Sequence, residues 1–148
     1  MTTTVKVLGV KVPGALVAAV AINTGWVNAS EIFRYFVFIR DLMRNAFPQL
    51  PDVVPMNLPV FLSWGVWDMI VVLAVSGFTW LYLDRLGGGA RNAAQAGTLA
   101  WLAIFVVLWL GLFNMNLATP GAVLTALPLA WLEMVIAALI VDTCRERF

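Results

Sequence analysis

Long apolar stretches separated by short polar ones set the pattern of this chain. A hydrocarbon core about 30 Å thick needs roughly 20 apolar residues of helix to cross it. Three stretches meet that length, at 60–83, 98–117 and 121–141. A fourth, "VPGALVAAVAINTGWV", predicts a shorter span over 12–28, with Pro13 suited to its first turn and Asn28 and Glu31 beyond it. No proline or glycine lies between Trp26 and Pro48, so this helix has room to run on. Lys6 and Lys11 ahead of an Ala/Val run also resemble a secretory signal, but we read the segment as a retained helix.

The connections carry patterns of their own. In residues 31–47, "EIFRYFVFIRDLMRNAF", one half of a helical wheel takes Ile32, Tyr35, Phe36, Ile39, Leu42, Met43 and Ala46. The other half takes Glu31, Arg34, Arg40, Asp41, Arg44 and Asn45, which predicts an amphipathic helix. Its simplest place is the membrane interface, with the aromatic face in lipid. A lid or docking helix over the bundle is the alternative. "FPQLPDVVPMNLP" follows and reads as an extended, non-helical connection. Gly87 to Gly89 ends the second span, and "NLATPG" is short enough to make the last two spans an antiparallel hairpin. The expected fold is an all-α integral membrane protein, one domain over 1–148 with four transmembrane helices and an interfacial helix between the first two.

Composition agrees with the pattern. Of 148 residues, 62% are hydrophobic and 11% charged, whereas a soluble domain is about half apolar and about a quarter charged. A net charge of +1 gives no reason to expect nucleic acid as a partner. Histidine is absent and Cys144 is the single cysteine, which removes a disulfide framework and the usual histidine- or cysteine-held metals and haem. No cofactor is expected. Cys144 sits next to "RERF", where acylation is conceivable, but we read it as a free thiol. Lys6, Lys11, Arg85, Arg91, Arg145 and Arg147 fall on one side of a four-span arrangement, which places both termini in the cytoplasm of a bacterial inner-membrane protein. Arg34, Arg40 and Arg44 fall on the other side and weaken that assignment.

Two acids stand inside apolar stretches. Glu133 lies in "LPLAWLEMVIAALIV" and shares a helical stripe with Ala122, Ala126, Ala130 and Ala137. A carboxylate there costs a few kcal/mol on insertion scales, so it should face protein or water, and small residues let another helix approach. Pro128, a little over a turn away, frees the carbonyl of Leu124. Asp68 lies in "SWGVWDMIVVL". Counted from Pro59 and Gly121, the two acids fall about 13 and 18 Å along parallel helices, at similar depth. "WDMIVVL" also aligns with "LEMVIAA", as a two-plus-two parallel repeat would require, though any two aliphatic helices align passably. In that repeat Asn23 or Asn28 corresponds to Asn114 or Asn116.

The candidate binding residues are therefore Glu133, Asp68, Asn114, Asn23 and Trp131, the last two residues from Glu133 on another face. Two neighbouring buried acids cannot both ionise cheaply, which suits a proton relay, a proton-coupled transporter or a cation site. The structural alternative has each acid protonated and bonded across helices. No nucleotide loop, metal spacing or serine–base pair is visible, so an enzyme acting on a lipid-like substrate ranks third. The expected partners are membrane lipids and either further copies of the chain or the other subunits of a membrane complex.

Overall fold

The computed structural model of the chain describes residues 4–7, 9–50 and 55–147. Before the first helix, β1 (Thr4–Val7) and β2 (Val10–Pro13) pair antiparallel, with Val7 opposite Val10 and Lys6 opposite Lys11. The pattern "TVKV" then "VKVP" alternates β-branched residues with lysine, and Gly9 supplies a positive φ of 85° at the turn. This hairpin was not among the expected elements.

Four helices follow, each long and apolar enough to cross a membrane: α1 (Gly14–Ala46), α2 (Leu58–Leu86), α3 (Ala90–Asn114) and α4 (Pro120–Arg147). The span expected over 12–28 and the separate helix expected over 31–47 are one continuous α1 of 33 residues. The physical reason is that nothing interrupts the backbone ladder there, apart from a π-helical turn at Tyr35–Ile39. At about 1.5 Å per residue α1 extends about 50 Å, well over the thickness of a hydrocarbon core. Its later turns run alongside α4, where Ile39, Phe38 and Met43 join the core containing Ala118, Ala122 and Val123.

Local sequence sets the helix ends. Asn57 Oδ1 accepts from Val60 N at 3.1 Å and caps α2, with Pro59 in its first turn. Asn116 takes the left-handed conformation (φ 56°) while Leu117 N donates to Leu112 O at 2.9 Å, closing α3. Thr119 then caps α4, its hydroxyl accepting from Ala122 N at 3.3 Å ahead of Pro120. The expected antiparallel hairpin of the last two helices is present. Of the proline-rich connection, residues 51–54 lie outside the described residues, and Pro55–Asn57 is non-helical.

The helices form a closed ring, α1–α2–α3–α4 and back to α1, with α2 and α4 also touching across it. As labels only, the end carrying the α1–α2 and α3–α4 connections is termed outer, and the end carrying the β-hairpin and the α2–α3 connection is termed inner. Small residues make the closest contact. Ala93, Ala96, Gly97 and Ala100 of α3 face the buried alanines of α4, and a Cβ on Gly97 would lie 2.6 Å from Met134 O. At the inner end, Asp142 Oδ1 accepts from Gly89 N at 3.0 Å and so caps α3 from a different helix. Arg145 pairs with Asp84 at 3.5 Å and lies over Trp80. Cys144 is buried among Ala138, Val141 and Leu83.

A candidate buried charge cluster

Glu133 is 1% exposed, near the middle of α4. Its Oε2 accepts from Arg34 Nη1 at 2.9 Å and from Ser30 Oγ at 3.1 Å. The second guanidinium nitrogen of Arg34 pairs with Glu31, one turn back on α1. Arg34 is itself only 4% exposed, and its guanidinium stacks 5.0 Å from the Phe105 ring centroid. Arg34 thereby reaches diagonally across the ring, since α1 and α3 do not touch through their backbones. Both ends of that stacking contact lie beside wide helical turns, at Tyr35–Ile39 and Leu102–Val106. Turns of this kind re-aim the side chains around them.

Two turns of α1 before Arg34, Trp26 Nε1 donates to the Glu133 carbonyl at 3.0 Å. Further inward, Asn23 Nδ2 donates to Ser76 Oγ at 3.0 Å and to Ala137 O at 3.1 Å. These contacts lock α1, α2 and α4 in register. They also explain the length of α1. Ala15, Ala19, Asn23, Val27, Ser30 and Arg34 recur every three or four residues, and this single stripe faces α2 and α4 for about five turns.

Asp68 completes the cluster from α2. It is 5% exposed, interacts electrostatically with Glu31, Arg34 and Glu133, and its Oδ1 is buried without a hydrogen-bond partner. Glu133 Oε1 and Asn23 Oδ1 are likewise buried and unpartnered. Measured from the outer helix ends, Asp68, Arg34 and Glu133 lie about 15, 18 and 20 Å deep at 1.5 Å per residue. Two carboxyl groups, of Glu31 and Glu133, thus hold the Arg34 guanidinium, with Asp68 at similar depth and in electrostatic but not bonded contact. Among the described residues, no three acidic or thiol side chains gather closely enough to hold a metal ion.

The expected site residues separate into three groups. Glu133 and Asp68 come together. Asn23 is fully buried, a turn inward of Glu133, and bonds Ser76 rather than an acid. Asn114 and Trp131 stand apart. Asn114 is exposed at the outer end of α3. Trp131 is 41% exposed on the outside of α4, where its Nε1 donates to Thr98 Oγ1 at 3.0 Å. Of the asparagine pairings the repeat allowed, Asn23 with Asn114 joins residues at different levels and in different environments.

Arg34, Ser30 and Trp26 were not among the expected site residues. The signal for Arg34 was present: it sits on the small-residue stripe of α1 as that stripe continues past Val27. Treating residues 31–47 as a separate surface helix assigned Arg34 to the polar face instead. No family model, no curated protein and no solved structure matches the chain.

Proposed function

We propose that this chain is an integral membrane protein of a bacterial inner membrane, with both termini cytoplasmic, that moves protons or cations through the cluster of Glu133, Asp68, Glu31 and Arg34. The observation carrying this reading is the charge imbalance. Arg34 can balance one of three carboxylates, and Asp68 has a buried oxygen with no partner. In a low-dielectric interior such an excess has to be met by protons, water or a cation. A site that exchanges those species is what a small proton- or cation-linked transporter or channel requires. In this reading the outer half of α1 belongs to the membrane-spanning bundle, and Asp68 and Glu133 act as partners around one site.

The test is flux in proteoliposomes under an imposed pH or cation gradient. Asp68→Asn is the cleaner variant, because no ion pair is broken, and it should cut flux tenfold or more. Glu133→Gln should do the same, while also leaving Arg34 with Glu31 alone. Unchanged flux in both variants sinks the proposal.

A second reading has its own observation. The outer turns of α2 are exposed from Phe61 to Val66, as expected of an accessory subunit docking into a larger membrane complex. Gentle extraction from the native membrane, with identification of stoichiometric companions, separates the two readings.

A further inference from the structure

The β-hairpin ahead of α1 has two unlike faces. Its register puts Lys6 directly opposite Lys11 on one face, with Val5 opposite Val12 and Val7 opposite Val10 on the other. The valine face is bare: Val5 and Val7 are each 42% exposed and Val10 is 64% exposed. Of the four helices, only α1 comes near the hairpin backbone. Neither lysine has an acidic partner among the described residues. A two-stranded hairpin is marginal in water, and like charges directly opposite one another weaken it further. Such an element needs an apolar surface against one face and an anion against the other.

We propose that this hairpin is a docking surface for anionic phospholipid, with its valines at the edge of the acyl region and Lys6 and Lys11 among the phosphates. Its place in the fold argues for a bilayer. Pro13 leads straight into α1 at Gly14, with no linker. Ala19 shares a buried layer with Leu83, Ala93, Val141 and Cys144, near the inner ends of the other three helices. The helix therefore begins about 7 Å beyond that layer, level with the α2–α3 connection, where a membrane-spanning bundle leaves the hydrocarbon. An amphipathic element held there lies with its apolar face in the headgroup–acyl boundary. Charge complementarity selects the headgroup. Lys6, Lys11, Arg85, Arg91, Arg145 and Arg147 belong to this end, against Asp84, Asp142 and Glu146. Asp142 is engaged by Gly89 N and Asp84 by Arg145, so neither neutralises the lysine pair. An anionic headgroup relieves two opposed ammonium groups, whereas a zwitterionic one brings no net charge. Free phosphate would meet the lysines and leave the valines bare. The inference needs the chain to span a membrane and is independent of what it transports.

The experiment uses the full-length protein with Cys144→Ala and Val7→Cys, a bimane fluorophore on the new thiol, in phosphatidylcholine vesicles with or without phosphatidylglycerol. Acrylamide quenches from water and a nitroxide on the acyl chain quenches from lipid. Adding phosphatidylglycerol should shield the label from acrylamide and expose it to the nitroxide. Lys6→Gln should lower the ratio of docked to free hairpin about fivefold, and Lys6→Gln with Lys11→Gln about thirtyfold. Lys6→Arg with Lys11→Arg should keep it docked, and high salt should release it. Equal acrylamide quenching in both vesicles, or equal docking by the double glutamine variant, overturns the proposal. Shielding produced in phosphatidylcholine by inorganic phosphate alone overturns it in favour of a free anion. Shielding seen only in native membranes overturns it in favour of a protein partner. Cation flux should be the same in all these variants, so loss of docking with flux intact defeats the hairpin proposal alone, and docking without any flux defeats the transport reading alone.

Discussion

Inward of Asp68 the face of α2 that carries it is buried; outward of it, the same face is exposed. The inner half is built from alanine and glycine contacts, with Asn23 bonded to both Ser76 and Ala137 and with Asp142 capping α3 from α4. In the outer half, Tyr35–Ala46 of α1 and Leu102–Asn114 of α3 each pack on α4 and make no approach to α2. The charge cluster lies at the boundary. This difference shows that burial and pairing are separable: Glu133 is buried and paired on the closed side, whereas Asp68 is buried and unpaired where the bundle opens. Variants that disturb the inner half or the boundary should therefore cost stability, and variants in the outer turns of α2 should cost little.

The largest effect is expected at Arg34. Arg34→Met removes one partner of a buried ion pair and strands Glu133, which should destabilise the protein by about 3–5 kcal/mol. Replacing both partners, as Arg34→Met with Glu133→Met, should recover most of that loss, because an apolar pair needs no desolvated charge. Equilibrium unfolding in mixed micelles measures both. A double variant no better than the single one would mean that Arg34 is held there for Glu31 or Asp68 rather than for Glu133.

Two glycines in α3 sharpen the comparison within one helix. Gly97→Ala puts a methyl group 2.6 Å from Met134 O and 2.7 Å from Val135 Cα, both backbone atoms that cannot swing aside. The helices must part, at about 1–3 kcal/mol. Gly111, in the outer half, has nothing within 4 Å of an added Cβ, so Gly111→Ala should be neutral or stabilise by up to about 1 kcal/mol. Equal losses at both positions would contradict the contrast between the two halves. Asp142→Ala removes the cap on α3 and should cost about 0.5–2 kcal/mol. Asp142→Asn should keep part of that cap, because the amide oxygen can still accept from Gly89 N.

How far the sequence foretold this architecture differs from element to element. Spans two to four were legible because a run of about 20 apolar residues is a direct consequence of bilayer thickness. The α3–α4 hairpin was legible from the brevity of "NLATPG", and Glu133 and Asp68 from their setting among aliphatic residues. The full length of α1 was harder to read. Asn28, Glu31 and Arg34 lower the hydropathy where the helix continues; Asn28 bonds Thr24 O and Glu31 pairs with Arg34 within α1, while Arg34 also reaches Glu133 on α4, a tertiary partner that no local pattern displays. The β-hairpin had a local signal, strict alternation of valine and lysine around Gly9, which was overlooked beside the stronger apolar pattern. Trp131 and Asn114 show the limit of angular reasoning along a single helix. Their distance from the cluster is set by which neighbours pack where.

The smallest effect is expected at Leu62, on the exposed outer turns of α2. Leu62 is 59% exposed. In detergent or lipid its side chain meets acyl chains both before and after unfolding, so truncation removes almost no differential contact. Leu62→Ala should therefore change stability by no more than about 0.5 kcal/mol. The same measurement repeated in native-membrane extracts carries the most information. A cost that rises well above that value only there would mean that another polypeptide covers these turns. The open half of the bundle would then be a docking surface for a larger complex, and Asp68 would meet its partner across that interface.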